Sequence, residues 1–212
     1  MDFFSLPCLE LGRYAGNTEA LRRELERGVP PDMRDENDNP PLLAAVQRKR
    51  ADCVSMLLQW GADPNGNQGN NAAVGLTVLH LACYYGDLDC VRMLLEAGAV
   101  VNVRLDGPNV SPYLPIDYNR FSAGKTRATI FALLLRADSE LPTMSPGDPL
   151  REDPYLSRIM DAGGFKKYER AHLEALTKTL SPKLAHLLPP ELVRNVVEHW
   201  LHAGFYPFTP VA

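Results

Sequence analysis

The sequence lacks any window of about 18 uninterrupted apolar residues, and its opening stretch, MDFFSLPCLELGRYAG, has no basic segment leading into a long apolar one. A spanning helix and a leader are therefore not expected, and a cytosolic or nuclear protein is. A positive surplus is missing too: 22 Lys and Arg stand against 26 Asp and Glu, for a formal net charge of -4. Without the positive field that phosphate backbones select for, nucleic acid is excluded as a default partner. Cysteine is scarce, at four residues in 212, and Cys8, Cys53, Cys83 and Cys90 lie inside apolar-periodic segments with none of the short paired spacings of zinc sites. They read as reduced, buried thiols. Nor does any nucleophile–base pair, phosphate loop or carboxylate constellation occur, so no catalytic residue, cofactor or enzymatic activity is expected. His199 and His202 share a helix face by spacing, but no third ligand lies at a metal-like interval.

What is present is a repeat. The segment GLTVLHLACYYGDLDCVRMLLEAGAVVN, residues 75 to 102, lies over NPPLLAAVQRKRADCVSMLLQWGADPN, residues 39 to 65. Leu79 matches Leu42, Ala82 matches Ala45, Cys90 matches Cys53, Leu94 matches Leu57 and Gly98 matches Gly61, each pair 37 apart. Leu25, Gly28 and Asp32 fall 33 positions before Leu58, Gly61 and Asn65, which makes LELGRYAGNTEALRRELERGVPPD an earlier copy and leaves four extra residues in the next connector. Within one copy, Leu79, Leu81 and Ala82 space a short apolar face, Gly86 ends the first helix, and Val91, Leu94 and Leu95 place a second stripe at helical spacing. Two helices of this length cannot bury their faces alone, so the copies must stack.

The unit resembles an ankyrin repeat. Thr77-Val78-Leu79-His80-Leu81-Ala82 is similar to that family's threonine-proline-leucine-histidine-x-alanine start, with Val78 where proline usually stands, and Gly98-Ala99 with Asn102 resembles its end. A degenerate fourth copy follows: Ile116-Asp117 falls 37 after Leu79-His80, and its second helix, RATIFALLLRAD, arrives about three residues late, as suits a terminal copy. The resemblance covers roughly residues 5 to 139 and implies an all-α solenoid of three to four repeats. It also implies that His80 ties adjacent repeat turns together rather than titrating in a reaction. The positions that face the concave groove in that family are here Tyr14, Gln47, Arg48, Tyr84 and Tyr85, and Tyr and Arg are the types that dominate interface energetics. Packing of Tyr84 or Tyr85 on the next repeat is the alternative. The connectors RDENDNP, residues 34 to 40, and GNQGNNAAVG, residues 66 to 75, form the other contact surface that the resemblance implies.

Residues 140–162 change character, with Pro142, Pro146, Pro149 and Pro154, and read as a solvated linker after the repeats of residues 1–139. Helical periodicity resumes after Gly163-Gly164 through Tyr168, Leu173, Leu176 and Leu180, before Pro182, and again through Leu192, Val193, Val196, Val197 and Trp200. This tail, residues 163–212, resembles a SOCS box, the element by which ankyrin-repeat-and-SOCS-box proteins are thought to recruit elongin B/C and a cullin. Leu173 and Thr177 occupy the positions of that family's leucine and, four residues on, its cysteine, with Leu176 between them and Leu180 beyond. LLPPELV, with Leu188, Pro189 and Pro190, is similar to its leucine-proline-x-proline corner. Thr177 in place of cysteine, a corner without a residue between its prolines and a shorter loop are departures. As a recruiting element the tail would expose the apolar edge of Leu173, Leu176 and Leu180 in the free protein. As a cap on the repeats it would bury that edge, with Trp200, Phe205 and Tyr206 covering the end of the stack.

Two functions follow from the resemblance. One is a substrate-recognition adaptor of an elongin/cullin-type ubiquitin ligase, in which the repeats select a protein; the other is an ankyrin scaffold or inhibitor that binds one protein and recruits nothing.

Overall fold

A computed structural model describes residues 18–69, 75–104, 114–121, 124–142, 144, 147–184, 186–189 and 192–197. The described residues are helical, with a single isolated bridge between Asn67 and Thr77 and no strand. The chain divides into two compact units, Met1–Thr143 and Met144–Ala212.

In the first unit, α1 (Thr18–Glu26) is the second helix of the earliest copy. Three helix pairs follow: α2 (Pro41–Gln47) with α3 (Ala51–Gln59), α4 (Val78–Tyr85) with α5 (Leu88–Glu96), and α6 (Pro115–Tyr118) with α7 (Gly124–Arg136). The first helices stack on one another, α2 on α4 and α4 on α6, and the second helices do the same, α1 on α3, α3 on α5 and α5 on α7. The buried side chains recur at matched positions: Leu21, Val54 and Val91 on the second helices, Leu42, Leu79 and Ile116 on the first. Each helix alone is marginal in water, so its stability comes from the neighbouring copy.

Local chemistry sets where each helix starts and stops. Thr77 caps α4: its hydroxyl accepts from the His80 N–H, and its own N–H donates to His80 Nδ1 at 3.2 Å. His80 is fully buried, and its Nδ1, accepting from the Thr77 N–H, helps to cap the start of α4. In the fourth copy Asp117 takes over that role, accepting from the Leu114 N–H at 2.8 Å. The second helices end on left-handed residues, Gly28, Gly61 and Gly98, at φ of 88°, 87° and 87°; the fourth ends on Asp138 at φ 61°, three positions late by the repeat register. Between copies the connectors are tied by side-chain oxygens. Asp32 accepts from the Asp63 N–H at 2.8 Å, Asn65 from Val100 at 2.8 Å and Asn102 from Glu140 at 2.9 Å. The positions Asp32, Asn65 and Asn102 that mark the end of each copy in the sequence are thus the ones that hold successive connectors in register.

The second unit departs from the sequence reading at its start. Residues 149–152 form a 3₁₀ turn and Pro154–Asp161 form a helix, α8, with Tyr155, Leu156 and Ile159 buried. Two of the prolines read as helix breakers, Pro149 and Pro154, stand in the first helical turn, where the missing N–H would have no partner. Asp153 caps α8 through the N–H groups of Tyr155 and Leu156. Gly163 and Gly164, at φ 77° and 116°, separate it from α9 (Phe165–Leu184). That helix runs past the expected stop at Pro182 by two residues. A last helical segment covers 192–197; Val193 and Val197 face inward, whereas Leu192, expected on the same apolar face, is 47% exposed. Tyr14, Pro190, Trp200, Phe205 and Tyr206 lie outside the described residues, as do Cys8, His199 and His202.

Leu94 is fully buried at the interface of stacked second helices. Leu94→Ala is expected to lower the unfolding free energy by about 2–5 kcal/mol, measured by urea denaturation. A change near zero would mean that the register of the third copy is wrong.

Candidate interaction surfaces

The first surface is a row of side chains at the ends of the first helices. Gln47 and Arg48 close α2 and are exposed; Tyr84 and Tyr85 close α4, with Tyr84 43% exposed and Tyr85 half-buried. The two tyrosines meet edge to face at 5.3 Å, and Tyr84 meets Tyr118 of α6 at 6.5 Å, so three aromatic rings from two copies form one continuous patch. His80 supports Tyr118 from below at 5.4 Å. Tyr85 is thus partly packed and partly exposed.

Lys49, which the sequence reading passed over, belongs to this row. It sits in the left-handed region at φ 53°, in the same place within its copy as Gly86, at φ 63°. A non-glycine residue pays about 1–2 kcal/mol to stand there. Its ammonium donates to the Tyr85 carbonyl at 3.3 Å and lies 5.7 Å from the Tyr85 ring centre. Beside it Arg50 pairs with Asp52 at 3.2 Å, and Asp52 also accepts from the Thr18 hydroxyl at 2.7 Å. Arg50 and then Thr18 hold the Asp52 carboxyl well below the usual carboxylate range. The signal for Lys49 was available in the sequence, since 49 plus 37 is 86 and the copy aligned on it carries glycine.

The second surface is on the C-terminal unit. Leu173, Leu176, Leu180, Leu184 and Leu188 pack, half-buried, around Val193 and Val197. The leucine edge falls between the exposed and the buried alternatives: the helical segment 192–197 packs on it and covers part of it. What stays open is a groove of about 280 Å³ lined by Leu173, Glu174, Thr177, Lys178, Ser181 and Arg194. Leu173, Thr177 and Ser181 recur every four residues and share one helix face. At this groove the Thr177 hydroxyl oxygen is inaccessible to solvent and has no hydrogen-bond partner among the described residues. Pro189 is exposed beyond Leu188. Sequence reading could not find Arg194, which reaches the groove only through the fold-back.

The remaining polar candidates have packing roles. Burial, then Arg158, pushes the His172 imidazole below its ordinary value, and the ring stacks on Tyr168 at 5.7 Å. Cys53, Cys83 and Cys90 are free and buried, and burial pushes the Cys83 and Cys90 thiols up. Among the described residues no group of three His, Cys, Asp or Glu could hold a metal ion, and no helix is long and apolar enough to cross a membrane.

Comparison with known proteins agrees with this architecture. The family model for ankyrin repeats, in three copies, matches residues 11–104. Human ankyrin repeat and SOCS box protein 16 is 35% identical over 95 residues, 45% of this chain and 20% of that protein. Human ankyrin repeat and SOCS box protein 3 is 32% identical over 107 residues, 48% of this chain and 20% of that protein. The E3 ubiquitin-protein ligase KEG of Arabidopsis thaliana is 34% identical over 96 residues, 45% of this chain and 6% of that protein. The chain thus spans a fifth or less of the length of these relatives. The ankyrin-repeat match thus takes in helices α1 to α5, which carry Tyr84 and Tyr85.

Proposed function

We propose that this chain is a substrate-recognition adaptor: its repeats hold a protein through the row of Gln47, Arg48, Tyr84 and Tyr85, and its C-terminal unit recruits elongin B/C and a cullin. In this reading the chain does no chemistry itself and works in the cytosol or nucleus. The observation that carries the ligase half is the groove on α9. Leu173 and Thr177, the two positions matched to the SOCS-box leucine and cysteine, line one open groove, while the leucines around them form a core with Val193 and Val197. A self-made core that leaves the groove at Leu173 open is what a recruiting helix requires. The names of the similar ankyrin repeat and SOCS box proteins and of the ubiquitin ligase support the same reading. The scaffold alternative draws on Thr177, which offers a hydroxyl where that family has a thiol.

That difference generates a test on the full-length protein. Thr177→Cys removes an unsatisfied buried hydroxyl, worth about 1–3 kcal/mol, and restores the matched residue. It is expected to raise retention of purified elongin B/C on the immobilised chain, and Leu173→Asp to abolish it by carrying a carboxylate into the contact. A wild type and a Thr177→Cys variant that both fail to retain elongin B/C would leave the scaffold reading in its place.

For the repeat surface, Tyr84→Ala with Tyr85→Ala is expected to remove most proteins that the wild type captures through its repeats, as interface aromatics commonly carry about 2 kcal/mol or more each. Elongin retention should not change, and proximity labelling in cells measures the first effect. Should labelling be identical for the double variant, the tyrosines are packing residues only.

A further inference from the structure

We propose that the turn joining α2 to α3 makes the repeat surface selective for an acidic segment of its protein partner, with Lys49 as the residue that sets this selectivity. The inference deepens the reading of that row as the partner-binding surface and rests on it.

The two copies form the same turn with different residues. In the second copy the Lys49 N–H donates to the Val46 carbonyl at 2.9 Å and Arg50 N–H to Ala45 at 3.0 Å; in the third, Gly86 donates to Cys83 at 3.2 Å and Asp87 to Ala82 at 3.1 Å. Both central residues are left-handed, at φ 53° and 63°. Glycine suits that conformation, and asparagine and aspartate tolerate it by bonding locally; lysine does neither. Lys49 is also exposed, so no packing requirement places it there. A strained residue at an exposed turn is accounted for by what its side chain presents.

That side chain is a cation held in place. The bond to the Tyr85 carbonyl and the ring beneath it fix the Lys49 ammonium at the edge of the tyrosine row, so little freedom is lost when a partner arrives. Arg48 stands next to it. Among the described residues neither Arg48 nor Lys49 is ion-paired, whereas Arg50 is paired with Asp52. The one carboxylate in the equivalent turn, Asp87, accepts from the Cys90 N–H and caps α5. Two unneutralised cations thus stand beside three tyrosines on a chain whose net charge is -4. A carboxylate-bearing segment is drawn to this spot. Apolar side chains next to its carboxylates would lie on Tyr84 and Tyr118.

The test is a random-peptide display selection on the immobilised full-length protein, with selected peptides measured by fluorescence anisotropy on wild type, Lys49→Gly and the Tyr84→Ala/Tyr85→Ala double variant. Expected are peptides enriched in Asp and Glu that bind Lys49→Gly roughly five- to tenfold more weakly, with the salt dependence reduced. Lys49→Gly should melt no lower than wild type, since glycine relieves the turn. Peptides that lose binding to the double tyrosine variant but bind Lys49→Gly as well as wild type, or that carry no acidic enrichment, overturn this inference and leave the surface assignment standing. Peptides indifferent to both variants, or no binder at all, overturn the surface assignment with it. A single-stranded oligonucleotide bound more tightly than any peptide, with the same dependence on Lys49, overturns it in favour of phosphate.

Discussion

The whole repeat unit depends on one constraint: helices of four to thirteen residues that cannot bury their apolar faces without a neighbour. Every other feature serves to bring the neighbours into register. The left-handed residues Gly28, Gly61 and Gly98 end the first three second helices at the same point, and the oxygens of Asp32, Asn65 and Asn102 then tie each connector to the next. Because stacking consumes the inner faces of both helix rows, the residues left to contact another molecule are those at helix ends and turns. The tyrosine row, Arg48 and Lys49 are at such places. In the proposed reading interaction and stability are drawn from different residues of one repeat, and Lys49 stands left-handed where its counterpart in the next copy is Gly86.

The C-terminal unit solves the same problem differently. Its leucines have no repeated partner, so the segment 192–197 folds back and supplies Val193 and Val197 as a small core. This covers only part of the leucine edge and leaves the groove at Leu173 and Thr177 open.

How much of this was legible depends on the range of the interaction. The repeat could be read because its signals are local and recur: a cap at Thr77 and His80, a glycine after the second helix, and leucines 37 apart. Gln47, Arg48, Tyr84 and Tyr85 could be placed on one surface because the register carries positions across copies. Helix α8 was hidden because Pro149 and Pro154 look like breakers unless they are known to open a helical turn. Tyr118 and Arg194 were not legible, since one joins its patch across a degenerate copy and the other reaches its groove by a fold-back. Lys49 is an intermediate case. Its alignment with Gly86 is plain in the letters, but its meaning needs the backbone angle.

The central claim is that one chain carries two separate recruiting surfaces, and amide hydrogen exchange of the full-length protein with and without elongin B/C measures it most directly. The account predicts slowed exchange confined to α9 and the segment 192–197, with the ends of α2 and α4 unchanged. Protection spread over the repeats, or no protection anywhere at saturating elongin B/C, would contradict it.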